Sequence, residues 1–208
     1  MFNANTLNIV LFIVILLVPA VVLHELAHGA IAFLLGDTTA RDRGRLSLNP
    51  IRHLDPVGSV LIPAILYFAH LPVLGMAKPV PVNFGNLRPQ RLGMALVALG
   101  GPLTNIALAF IFSRLYAWPA LSNGAQICAW GVMLNLTLAV FNMMPIPPLD
   151  GSRVVTSILP AQLAFYYNRL ERFGMIIILG LLYLGAFRFL MPLIYQVGQW
   201  MGMPLYDL

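Results

Sequence analysis

Charge is scarce in this sequence. Of its 208 residues, 9% are Asp, Glu, Lys or Arg, against about 25% in an ordinary soluble domain. The chain is 60% hydrophobic with a mean hydropathy of +0.85, more apolar surface than a soluble fold of this length can hide in one core. Its apolar side chains are therefore solvated by lipid. Acidic residues are fewest, 7 against 12 Lys and Arg. The basic residues lie between apolar runs rather than on aromatic-laced patches, which points away from a nucleic-acid partner and towards membrane topology. Cysteine is nearly absent: Cys128 alone admits neither an internal disulfide nor a Cys-rich zinc site. No Lys or Arg precedes the first apolar run, which continues through Leu35, so it reads as a retained segment and not a signal peptide.

What is abundant is apolar sequence, in stretches 7–35, 55–69, 92–116, 125–144 and 173–190, with a weaker run at 191–203 that reads as a kinked continuation or a short extra helix. Stretch 55–69 is short and carries Pro63 near its middle; the other four are about the length of a span. No internal repeat or low-complexity linker divides the chain, so residues 1–208 read as one membrane-embedded domain. The expected fold is an all-α polytopic membrane protein of about 4–6 transmembrane helices with one re-entrant or embedded segment. Residues 43–50 alternate briefly and end in Asn-Pro, and Lys78-Pro-Val-Pro-Val82 reads as extended backbone. Short β-hairpin elements are therefore expected on the cytoplasmic side.

The basic residues choose a topology. If 55–69 crosses the membrane, the 12 Lys and Arg residues divide evenly between the two sides. If it enters and leaves on one face, Arg114 and Arg188 stand alone against all the others. The positive-inside rule selects the second arrangement, with the N-terminus outside and the loops 36–91 and 145–172 cytoplasmic.

His24-Glu25-Leu26-Ala27-His28 carries the chemistry. Positions i and i+4 share a helix face, so two imidazoles can grip one metal, and Glu25 is placed to take a proton from a metal-activated water. Three ionisable side chains in one turn of an apolar helix are expensive and mark function rather than chance. A catalytic zinc takes a third protein ligand. Among the remaining Asp, Glu and His residues Asp150 is the best candidate, because the prolines before it end a helix and Gly151 permits close backbone approach. Its competing reading is an N-cap. In the selected topology the first and fourth stretches run the same way, and Asp150 returns to the depth of His24 and His28.

His24-Glu-Leu-Ala-His28, Gly101-Pro-Leu-Thr-Asn105 and Asn142-Met-Met-Pro-Ile-Pro-Pro-Leu-Asp-Gly151 together resemble the signature set of the site-2 protease family of intramembrane metalloproteases, in its compact form without a PDZ or nucleotide-sensing domain. The resemblance implies that His24, His28 and Asp150 bind one catalytic zinc ion and that Glu25 is the catalytic acid/base. It implies hydrolysis of membrane-embedded peptide segments in or near the cytoplasmic leaflet of the cell membrane. The partners expected are a membrane protein with a transmembrane segment and the lipid bilayer, with no nucleic acid. Asn142 and Asn105 are candidate oxyanion or substrate contacts, or else they satisfy helix backbone and neighbouring helices. Residues 43–49 and 78–83 are candidate edges for an unwound substrate. His53 and His70 are expected in structural or interfacial roles, and Gly100-Gly101 in close helix packing. The alternative function is a membrane metal-binding scaffold or transporter without hydrolysis; a carboxylate placed as base beside the ligands distinguishes the enzyme.

Overall fold

The computed structural model describes residues 12–69, 75, 77–119 and 124–203; His70 and the first residues of the leading apolar run lie outside them. Three helices among the described residues are long and apolar enough to cross a membrane, Val14–Leu34, Gln90–Tyr116 and Ala125–Asn142. The first begins as a widely wound stretch, Phe12–Leu17, and continues as α1, Val18–Leu34. Gly36, at φ +103°, ends it. The Asp37 amide reaches back to the Ala32 carbonyl (2.9 Å) and the Gly36 amide to Phe33 (3.1 Å), a closure that needs a left-handed residue after the last turn.

After a single turn α2 (Thr39–Asp42), a second widely wound stretch of 6 residues leads into the 7-residue α3, Ile62–Phe68. Together they rise only about 20 Å, short of a hydrocarbon core of roughly 30 Å. Helix α4, Gln90–Tyr116, has 27 residues and α5, Ala125–Asn142, has 18. Next come α6 (Asp150–Ile158), α7 (Ala161–Asn168), α8 (Gly174–Tyr183) and α9 (Met191–Trp200).

Helix α4 lies between α1 and α5 and runs against both. Along it, Gly93 lies near Leu35, Gly100 near Ile31 and Ala27, and Asn105 bonds at Ala20. On the other face Asn105 meets Asn135 and Phe112 meets Gly131. Helices α1 and α5 are therefore parallel, and their C-terminal ends share one end of the bundle. Small residues allow this closeness. A Cβ at Gly100 would sit 2.6 Å from Ile31, and one at Gly131 2.6 Å from the Phe112 ring. Ala109, Ala129, Val132 and Leu136 fill the seam beside Ile194 and Met203.

At the shared end, Asp37 is the anchor. It is fully buried and accepts from the Thr39 hydroxyl and amide, the Asn83 amide (2.7 Å) and the Asn86 side chain (2.9 Å). These bonds tie residues 77–86 to the end of α1, helped by Arg88 N–H to the Leu35 carbonyl and Arg45 to the Lys78 carbonyl.

One expectation is corrected. No strand occurs among the described residues. The amides of Arg43, Gly44 and Arg45 bond locally to Thr39, Arg41 and Ala40, and Pro79 and Pro81 have no N–H for a ladder, so 78–83 is extended but held by side chains. The stretch 173–190 is not one continuous helix: it stops at Tyr183, turns through Gly185 at φ +69°, and resumes as a short 3-10 turn, Ala186–Phe189.

Burial pushes the Asp37 carboxyl up, but the hydrogen bonds from Thr39, Asn83 and Asn86 outweigh it and hold it below the ordinary carboxylate range. A lowered pKa contributes stability that is complete above the ordinary value and is lost as pH falls through the lowered one. Asp37→Ala is expected to cost about 1.5–3 kcal/mol, the range for hydrogen bonds to a charged group. The loss is read as a lower thermal midpoint in detergent and as protease cleavage within 77–86. Wild type should approach the variant only on acidification below about pH 4.

Candidate metal centre

Helix α1 sets His24 and His28 on one face, 7% and 8% exposed, with their Nε2 atoms 3.1 Å apart. Each ring is oriented from behind by α4. The His28 Nδ1 faces the Val97 carbonyl at 2.7 Å, and the His24 Nδ1 faces the Asn105 Oδ1 at 2.6 Å. A carbonyl oxygen only accepts, so both neutral rings carry their proton on Nδ1 and turn the Nε2 lone pair inwards.

Asp150 closes the third side. Its Oδ2 lies 3.1 Å from the His24 Nε2 and 3.3 Å from the His28 Nε2. The chain reaches this position through Asn142–Leu149. There the Tyr167 hydroxyl donates to the Pro145 carbonyl (2.8 Å), Gly174 packs on Pro147 and Pro148, and Gly151 packs on the Met143 and Met144 carbonyls. Asp150 begins α6 without capping it by its side chain, so the carboxylate is free to face the imidazoles.

Three lone pairs thus converge with no proton among them, and Asp150 Oδ2 is a buried atom with no hydrogen-bond donor. Such a cluster is repulsive until a cation neutralises it. Four-coordinate zinc with bonds of about 2.0–2.1 Å holds its ligand atoms roughly 3.3 Å apart, close to the separations here. Gly101 leaves the necessary room, since a Cβ there would lie 2.5 Å from both Nε2 atoms. The residues present fit the ion. They are the single metal-competent group of His, Cys, Asp and Glu among the described residues.

The neighbouring Glu25 is half-buried, and its Oε2 accepts from the Val80 amide at 2.8 Å. That bond is available because 78–83 lies extended along α1, with Val80 packed where a Cβ on Gly29 would stand.

Asn105, expected as a candidate oxyanion or substrate contact, is fully buried behind His24. Its amide nitrogen is engaged by Asn135 Oδ1 (2.9 Å) and the Ala20 carbonyl (3.4 Å). Its oxygen faces His24, and its amide nitrogen is taken up by the two neighbouring helices. Asn142 donates to the Leu138 carbonyl (3.0 Å) and is half-buried, with a second amide hydrogen remaining. His53 is buried with its Nε2 on the Ser47 carbonyl (2.7 Å), a structural position apart from the three converging ligand atoms. Sequence reasoning passed over Asn135, and it gave Gly101 a place in the family signature and in helix packing but not beside the imidazoles. A lone amide in the apolar middle of α5 was the available signal for the first.

Residues 119–185 match the model of a family described as Peptidase family M50. Two relatives each bear the name "Putative zinc metalloprotease". YwhC of Bacillus subtilis is 37% identical over 185 residues, covering 84% of this chain and 81% of that protein. Rip2 of Mycolicibacterium smegmatis is 28% identical over 189 residues, covering 88% of this chain and 71% of that one. No solved structure matches the chain.

Alanine is the better helix former at an interior position by about 1 kcal/mol, so Gly101→Ala separates the cradle from the helix. The variant should keep its helical circular dichroism and bind zinc at least about tenfold more weakly in chelator competition.

Proposed function

The chain belongs to peptidase family M50, the site-2 protease family, and is a membrane zinc metalloprotease; we propose that His24, His28 and Asp150 hold its zinc and that Glu25 is the general base and acid. The observation that carries this reading is the convergence of three lone pairs within 3.3 Å, beside a carboxylate that belongs to none of them.

Zinc in such a site acidifies water and polarises a carbonyl. The residues do the rest. Glu25, steadied by the Val80 amide, takes a proton from the attacking water and returns it to the leaving amine. Val97 and Asn105 keep the two imidazoles turned towards the ion. Asn142 has an amide hydrogen left to offer an oxyanion or substrate carbonyl. A transmembrane substrate must unwind before its carbonyls are exposed, and we propose that it lies extended beside 78–83.

The same reading places the site towards the cytoplasmic side of the cell membrane. Loops 36–54 and 77–89 gather at the end where α6 begins, and Arg153 stacks over Phe84 at 5.6 Å, so the Arg-rich segments share one end, as the positive-inside rule asks.

Co-expression with single-span substrates tests the assignment. Glu25→Gln should retain zinc and lose cleavage by about 10²–10⁴-fold, the usual contribution of a general base. Equal cleavage by variant and wild type would remove Glu25 from the mechanism. Asp150→Ala should lose both zinc and activity; undiminished zinc content would remove Asp150 from the ligand set.

A further inference from the structure

Behind His24 runs a line of two buried amides. Asn105 and Asn135 are both fully buried, on α4 and α5 respectively. The Asn135 Nδ2 donates to the Gly131 carbonyl at 2.9 Å. Its Oδ1 accepts from the Asn105 Nδ2 at 2.9 Å. The Asn105 Oδ1 faces the His24 Nδ1 at 2.6 Å.

Each link has a direction, and the far end sets it. A backbone carbonyl can only accept, so Asn135 must turn its NH2 to Gly131 and its oxygen to Asn105. Asn105 must then present its NH2 to Asn135, with the Ala20 carbonyl as a second and longer acceptor at 3.4 Å, and its oxygen to His24. His24 must carry its proton on Nδ1, leaving the Nε2 lone pair on the metal side. Reversing either amide would bring donor against donor or acceptor against acceptor inside a dry three-helix interface, where neither finds another partner. His28 needs no such line, because the Val97 carbonyl orients it directly.

We infer that Asn135, through Asn105, is a positioning residue that sets the tautomer of His24 and thereby its strength as a zinc ligand. The inference rests on the proposal that His24 holds zinc. It assigns α5 a second role: besides leading to Asp150, this helix orients a ligand on α1 through α4.

Removing the middle member of the line supplies the test. Leucine at position 105 takes away the acceptor behind His24, so position 135 can no longer reach the ring through it. Zinc affinity is measured by chelator competition on the full chain in detergent. Asn135→Leu should bind zinc about 10–100-fold more weakly than wild type, the usual effect of losing an outer partner of a metal-bound histidine. Asn105→Leu should show a loss of the same order. The double variant Asn105→Leu, Asn135→Leu should match Asn105→Leu. An equal loss from Asn135→Leu in both backgrounds would mean that Asn135 acts by packing alone, and would overturn the inference.

His24→Ala serves as the control. If it binds zinc as tightly as wild type, the ligand assignment falls and the inference with it; if it loses zinc while Asn135→Leu does not, the inference alone falls. Should Asn135→Leu fail to fold, ¹⁵N-histidine NMR of the zinc-free wild type decides the matter. A neutral His24 ring protonated at Nδ1 supports the relay, and one protonated at Nε2 overturns it.

Discussion

Two imidazole nitrogens and one carboxylate oxygen face one another at 3.1–3.3 Å with no proton between them. In a membrane interior such an arrangement is unfavourable unless a cation occupies it, and much of the bundle exists to impose it. Both rings must be kept from turning a nitrogen-bound proton inwards, and α4 does this with an acceptor behind each. The space in front of them must stay free, which requires a glycine at 101. The carboxylate oxygen of Asp150 must arrive from more than a hundred residues away, which requires α1 and α5 to be parallel.

The same end of the bundle explains how Glu25, the proposed base, is held beside the three converging donor atoms. Glu25 is on α1, one residue from His24, yet its orientation is set by the amide of Val80 from a segment with no regular structure. That segment cannot join a sheet, because every second residue from 79 to 81 is proline. It is fixed by side chains instead: Asp37 at one end, Arg45 and the His53 carbonyl at the other. Glycine closure of α1 at Gly36 places Asp37 where it can gather these donors. Helix termination and alignment of Glu25 are thus linked through one buried carboxylate.

Much of the site was legible because its chemistry is local or costly. Histidines four apart on an apolar helix declare a metal face, and charge bias brings Asp150 to the same depth as that face. For Asn105 two readings stayed open, substrate contact or a bond to neighbouring helices, since spacing alone cannot say whether a buried amide looks towards substrate or away from it. The expected strands failed because alternation is a weak signal when backbone donors are spent locally or missing. The run at 173–190 has the composition of a span, but the break at Gly185 depends on a backbone angle that composition does not record.

The sequence by itself determined the solvent, the pair of imidazoles, their adjoining carboxylate and the family, because hydropathy and residue spacing are properties of a single segment. Tertiary structure alone decided which carbonyl stands behind each imidazole, why position 101 has no side chain, what holds Glu25, and how Gly131 on α5 comes to govern the proton on a histidine of α1. Those are directions of hydrogen bonds and distances between helices. They come into being only when α4 packs between two parallel neighbours and leaves its buried polar groups no other partners.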